Sequence, residues 1–209
     1  MKRRKFLSSL GVAPLSLFSP KSGQGAQDII PSLVKRWKTS KAYSLAVLAS
    51  MPDEHLEYSP TESQMTFAQH FLHFAFFNNL FIGFMLDEKV YESDQALFQS
   101  DYLLPVPDGL NLFQPAYLSK RPGTEAKKIV GDYVAKTFDF VISNISQQSD
   151  SILMEGLSRK KPWFLEGHTN LDLIIRGENH TAHHRAQAVV YLRMKGIVPP
   201  GYGVYHVIG

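Results

Sequence analysis

Apolar residues recur at mixed spacings of three and four in four separated segments of this chain, the period of a helix with one face turned inward. The first segment runs from Asp28 to Met51 through Ile30, Leu33, Val34, Trp37, Tyr43, Leu45, Val47 and Leu48. Pro31 falls in its first turn, where a missing N–H is tolerated, and Met51-Pro52-Asp53 ends it. Trp37 is expected in the core. The second segment runs from near Glu62 to Leu86 and is apolar on every side, with Phe67, Phe71, Phe74, Phe77, Phe81 and Phe84 among its residues. A helix of that kind is buried on most sides or packs on a partner chain, so a homodimer is one expectation. The third, Thr124 to Gln148, carries Ile129, Tyr133, Val134, Phe138, Val141 and Ile145 behind Thr124 as N-cap. The fourth, Thr169 to Lys195, closes on Gly196 with Pro199-Pro200 beyond. No segment alternates as a strand does and no repeat is visible, so the pattern predicts an all-α four-helix bundle.

The connections refine that picture. Residues 87–123 contain Pro105, Pro107, Pro115 and Pro122 with Gly109 and Gly123, which excludes a regular helix through much of the stretch. A short helix near Glu92 to Phe98 fits before them. This second-to-third connection is long enough for a crossover, so up-down-down-up order is allowed beside simple up-and-down. Connections of such length usually serve function or wrap the domain, and substrate contacts are expected there. In the next connection, Ser149 to His168, the run Arg159-Lys160-Lys161-Pro162 reads as a solvated turn. The apolar, Gly-rich tail to Gly209 is expected to fold back on the bundle.

The first residues set a different pattern. Met1-Lys2-Arg3-Arg4-Lys5-Phe6-Leu7 is followed by a modest apolar run from Leu10 to Phe18 and small residues around Gly25-Ala26. That is the plan of a secretory signal, and the Arg3-Arg4 pair is of the twin-arginine kind. The apolar run is too short to span a membrane. The expectation is a signal peptide over residues 1–26, a single domain over residues 27–209, and a periplasmic or otherwise exported protein. Five of the 22 basic residues and none of the 19 acidic ones lie in the leader, which leaves residues 27–209 at a net charge of −2. The formal charge of +3 for the whole chain therefore gives no support for binding nucleic acid. There is no cysteine, so a metal could be held only by imidazole, carboxylate or water.

Candidate chemistry sits in the fourth segment, in Asn179-His180-Thr181-Ala182-His183-His184-Arg185-Ala186-Gln187. His180 and His184 are four apart, which on a helix stacks both imidazoles on one face about 6 Å apart along the axis. Two nitrogens so placed can close on one divalent ion. Leu173, Gly177 and Tyr191 share their stripe, so the pair points inward, where unpartnered imidazoles are costly. His183 lies about 100° round the helix and cannot easily share that face. A third ligand must come from elsewhere. His70 and His73 stand within the apolar second segment, and the pattern alone fits either to a core role or to a ligand role.

Taken with Trp37, Met51-Pro52, Tyr58-Ser59-Pro60, Thr66-Phe67-Ala68-Gln69-His70-Phe71-Leu72-His73 and Tyr191-Leu192-Arg193-Met194-Lys195-Gly196, the Asn-His-x-x-His-His-Arg-x-Gln string resembles the DinB/YfiT superfamily of metal-dependent enzymes. The resemblance covers roughly Asp28 to Tyr202. It implies an up-down-down-up four-helix bundle holding a divalent metal, zinc or nickel, on three histidines. Carried over, these are His180 and His184 with His73, which precedes Phe74-Ala75; His70 is then a neighbour. Ala186 stands where the family often has Gly, beside a helix contact and away from the ligands.

Three imidazoles leave a coordination position open to water, the pattern of catalytic zinc rather than of a closed structural site. No Glu lies between the paired histidines, so this is not the H-E-x-x-H arrangement, and no general base is named. Glu178 points elsewhere on the helix. Gln187, on the ligand stripe, is the candidate for steadying a ligand from outside, and Arg185 for that or for packing. The resemblance thus implies an exported metal-dependent hydrolase or group transferase acting on an unidentified small molecule. Export argues against the relatives that use low-molecular-weight thiols, which are mainly cytoplasmic. A non-catalytic metal-binding bundle and a dimeric interaction module are the alternatives.

Overall fold

The computed structural model describes residues 29–86, 96, 99–101, 103–105, 123–155 and 167–207. The leader, the predicted helix near Glu92 to Phe98, most of the long connection and the Arg159–Pro162 turn lie outside the described residues. The regular elements among them are all helical: α1 (Ile29–Ser50), α2 (Phe67–Leu86), α3 (Gly123–Ser146), the short α4 (Asp150–Leu153) and α5 (Asn170–Met194), with 3-10 turns at Asp53–His55 and Tyr202–Val207. Among the described residues no helix is long and apolar enough to cross a membrane.

Local side-chain chemistry sets the helix ends. α2 starts at Phe67 rather than near Glu62 because Thr66 and Gln69 form a reciprocal box: Gln69 N–H donates to Thr66 Oγ1 at 3.2 Å and Thr66 N–H donates to Gln69 Oε1 at 2.8 Å. Thr169 and Asp172 do the same at the start of α5. At its far end Gly196 takes φ +73°. Ile197 N–H then donates to Leu192 O at 2.9 Å and Gly196 N–H to Arg193 O at 2.9 Å, the left-handed exit that glycine favours.

The four long helices form a ring of neighbours. α2 packs against α5 and α3, and α1 packs against α3 and α5. At one end the start of α1 meets the segment before α5: Ile29 N–H reaches Asp150 Oδ2 at 3.4 Å, and Asn170 Nδ2 donates to Ile152 O at 2.9 Å. At the other end the finish of α1 meets the starts of α2 and α3. Ala68 N–H donates to Leu56 O at 2.8 Å, and Lys127 Nζ donates to Met51 O at 2.7 Å.

The core runs the length of this assembly, from Trp37, edge-on to Phe138, through Phe74 and Val134 to Ile145. Trp37 is packed in it as expected, 1% exposed. α2 is the central element: Phe67, Phe71, Phe74, Phe76, Phe81 and Phe84 are buried within the chain, while Phe77 is half-buried. One clasp joins it to the long connection. Asn79 Nδ2 donates to Leu104 O at 2.9 Å while Leu104 N–H donates to Asn79 Oδ1 at 3.0 Å. The tail folds back as expected, setting Tyr202 and Tyr205 against Tyr43.

Candidate metal centre

α2 and α5 run past each other so that His70 meets His184 and Met65 meets Tyr191. Two features permit close approach. Gly177 has no side chain, and a Cβ there would stand 2.9 Å from Asn78 Oδ1 and 3.3 Å from Trp37 Cη2. Asn78 Nδ2 donates to the Thr181 hydroxyl at 2.7 Å across the same seam, with both side chains buried. One turn beyond this contact the imidazoles gather.

His73 of α2 joins His180 and His184 of α5, and one ring nitrogen from each lies within 4.8 Å of the others. The Nε2 atoms of His180 and His184 are 3.1 Å apart. The ring of His73 stands 4.5 Å from that of His184 and 5.0 Å from that of His180, centroid to centroid. Phe77 covers both His73 and His180, at 4.8 and 5.1 Å. His73 Nδ1 is buried with no hydrogen-bond partner. A buried polar atom left unpaired in a native fold asks for an ion or a water.

The electrostatics suit a cation ligand set. Burial pushes His184 down to about 2, with the neighbouring His180, His73 and His70 adding to the effect. Burial, then His73, lowers His180 and His70 to about 4, and burial lowers His73 as well. At neutral pH these rings are uncharged and keep a lone pair, the form that binds metal.

The remaining histidines of the motif separate. His70 is buried and places Nδ1 3.0 Å from His184 Nδ1, on the side of that ring away from His180, with Tyr191 edge-on at 5.2 Å. Sequence alone had no signal for this pairing of an α2 residue with the outward nitrogen of an α5 residue. His183 is exposed, and Gln187 Nε2 lies 2.7 Å from its Nε2. Gln187 is therefore placed on His183, four residues back along the same helix, and not on His180 or His184.

Glu178 and Arg185 turn to α1. Arg36 Nη2 donates to Glu178 Oε2 at 2.9 Å. Arg185 Nη1 donates to Ser40 Oγ at 2.8 Å, to Ser44 Oγ at 3.0 Å and to Ser40 O at 3.3 Å.

The comparisons agree with this architecture. A crystal structure of a DinB-like protein from Bacillus cereus ATCC 10987 superposes with a TM-score of 0.57 at 17% identity, covering 82% of this chain and 96% of that one. At that identity the likeness speaks for the fold alone. No curated protein sequence gives a match. The family model described as the DinB family matches residues 24–206, nearly the whole of the chain, and this protein belongs to that family.

Proposed function

We propose that the protein is a metal-dependent enzyme, a hydrolase or group transferase, in which His73, His180 and His184 hold one divalent ion, zinc or nickel. The observation that carries the reading is the convergence of three ring nitrogens from two helices within 4.8 Å. Tetrahedral zinc with bonds of 2.0–2.1 Å sets its donor atoms ~3.3 Å apart. The His180–His184 spacing of 3.1 Å fits that requirement. When bound, such an ion supplies Lewis acidity and, with three protein ligands, a position for water.

The chain's own groups prepare the site. Burial keeps the imidazoles neutral, so no proton has to leave before a cation enters. With Nε2 on the ion, His184 would carry its proton on Nδ1 and donate it to His70 Nδ1, 3.0 Å away, which would fix the ring's orientation. Phe77 shields one flank from solvent. The Asn78–Thr181 bond and the bare Gly177 hold α5 at the distance from α2 that brings His180 to His73.

The reading extends to topology and place. α1 and α5 start at one end while α2 and α3 start at the other, which supports up-down-down-up order with residues 87–122 as the crossover. The Arg3-Arg4 leader supports export, and an Arg3→Lys, Arg4→Lys double variant is expected to stay in the cytoplasm.

Elemental analysis of protein purified without chelator tests the ligand set. About one equivalent of metal is expected in the wild type, and little in each of the His73→Ala, His180→Ala and His184→Ala variants. Turnover across esters, amides and lactones, abolished by His184→Ala, tests the enzyme. Metal without turnover would leave a non-catalytic metal-binding bundle, and neither would leave an interaction module.

A further inference from the structure

On a different face of α5 from the histidines lies a cavity of about 380 Å³, between α5 and the first half of α1. Arg185 follows His184 directly, so its side chain leaves the helix about 100° further round and meets α1 where His184 meets α2. Arg185 is 6% exposed, yet its guanidinium is held at one nitrogen only. All its hydrogen bonds among the described residues use Nη1, to Ser40 and Ser44. Nε and Nη2 have none there, although neither is a fully enclosed, unsatisfied atom. They form the unbonded edge of a planar fork, and Arg185 lines the cavity. The Tyr43 ring lies under the same guanidinium, 4.8 Å from its carbon, and fixes its plane.

The charge around this fork is unbalanced. Lys35 and Arg36 also line the cavity, against the single carboxylate of Glu178. That carboxylate is taken by Arg36 at 2.9 Å. Arg185 and Lys35 remain without an ion pair among the described residues. Burying a guanidinium without a counter-charge is expensive. Tyr43 and Tyr202, with rings 5.3 Å apart, give the same cavity an apolar wall.

We propose that this cavity binds a small carboxylate with an apolar body, at a site separate from the metal centre. A pre-anchored arginine edge matches a carboxylate with two parallel N–H···O bonds, and Lys35 at the rim adds a point charge. The tyrosine rings take the body of the ligand. Glu178, close by, disfavours a doubly charged phosphate. Two sites then stand on neighbouring faces of one helix, with His184 in one and Arg185 in the other.

Titration calorimetry of the full-length protein with benzoate, benzamide and inorganic phosphate tests this. Benzoate is expected to bind, and benzamide, of the same shape without the charge, is not. Arg185→Lys keeps the charge and loses the fork, and is expected to weaken benzoate by about tenfold or more. Lys35→Ala, at an exposed position where folding is spared, is expected to weaken it by a few-fold. His73→Ala, which disables the metal centre, is expected to leave benzoate binding unchanged, so the two readings fail separately. No binding of benzoate, binding lost in His73→Ala, or equal binding in Arg185→Lys and Lys35→Ala would each overturn the proposal. Phosphate binding tighter than benzoate would overturn the choice of a carboxylate.

Discussion

Gly177→Ala adds one methyl group at the tightest point between α5, α2 and α1. The group would stand 2.9 Å from Asn78 Oδ1 and 3.3–3.4 Å from two carbons of the Trp37 ring. Neither neighbour can easily yield. Asn78 is 1% exposed and tied to Thr181, and Trp37 is 1% exposed and wedged on Phe138. Alanine is the better helix former by ~1 kcal/mol, whereas overpacking a closed core costs ~1–3 kcal/mol. The clash below 3.0 Å puts this site in the upper part of that range, for a net loss of ~1–2 kcal/mol. In a domain of this size that lowers Tm by ~2–8 °C, read by differential scanning calorimetry. Because the contact lies one turn before His180, the same shift moves that imidazole from His73, so metal affinity is expected to fall with stability. Adding Asn78→Ala removes the nearest obstruction, and the methyl should then cost less than it does alone. An unchanged or raised Tm for Gly177→Ala would refute the idea that this glycine sets the helix spacing.

Other expectations follow from single contacts. His70→Ala removes the partner of His184 Nδ1 and should weaken metal binding by ~10–100-fold without abolishing it, whereas His183→Ala should leave it unchanged; competition with a fluorescent chelator measures both. The folded chain holds His70, His180 and His184 below the unfolded value of 6.5, so the unfolded chain binds more protons in acid. Metal-free protein should therefore keep its full stability above pH 6.5 and lose it as pH falls toward 4, by ~1.4 kcal/mol per pH unit for each excess proton. Urea midpoints at pH 7 and pH 5 check the sign, and a higher midpoint at pH 5 would contradict it. Thr169→Ala breaks the reciprocal box at the start of α5 and should cost ~1 kcal/mol, seen as a lower Tm at unchanged metal content.

The long helices were legible because their apolar positions repeat at helical spacing over many turns. Where an end differs, a short capping signal sets it. α2 begins at Phe67 and not near Glu62 because Thr66-Phe67-Ala68-Gln69 makes a box. The His180–His184 spacing was readable from one helix alone. Which of His70 and His73 would face that pair was not, since it depends on the crossing of α2 and α5, and only the resemblance pointed to His73. The structure brings His73 into the cluster and turns His70 to the outward nitrogen of His184. Gln187 shares the stripe of His184, three residues away, but it is four residues from His183, and that exposed pair forms locally. The serines that anchor Arg185 did carry a signal. Ser40 and Ser44, four apart among the apolar positions of α1, call for a buried hydrogen-bonding partner.

The Asn79 clasp has a consequence for how the chain tolerates change. It reads only the backbone of Leu104, through one N–H and one C=O. Pro105 follows, and a residue before proline is steered to an extended conformation, in which both groups can be offered together. Almost any amino acid at position 104 could therefore be gripped as well as leucine, whereas proline, lacking the N–H, could not. The grip also divides one long excursion into two shorter ones. An insertion on either side lengthens a single arm, at an entropic cost that grows only with the logarithm of its length, while the Asn79–Leu104 contact is kept.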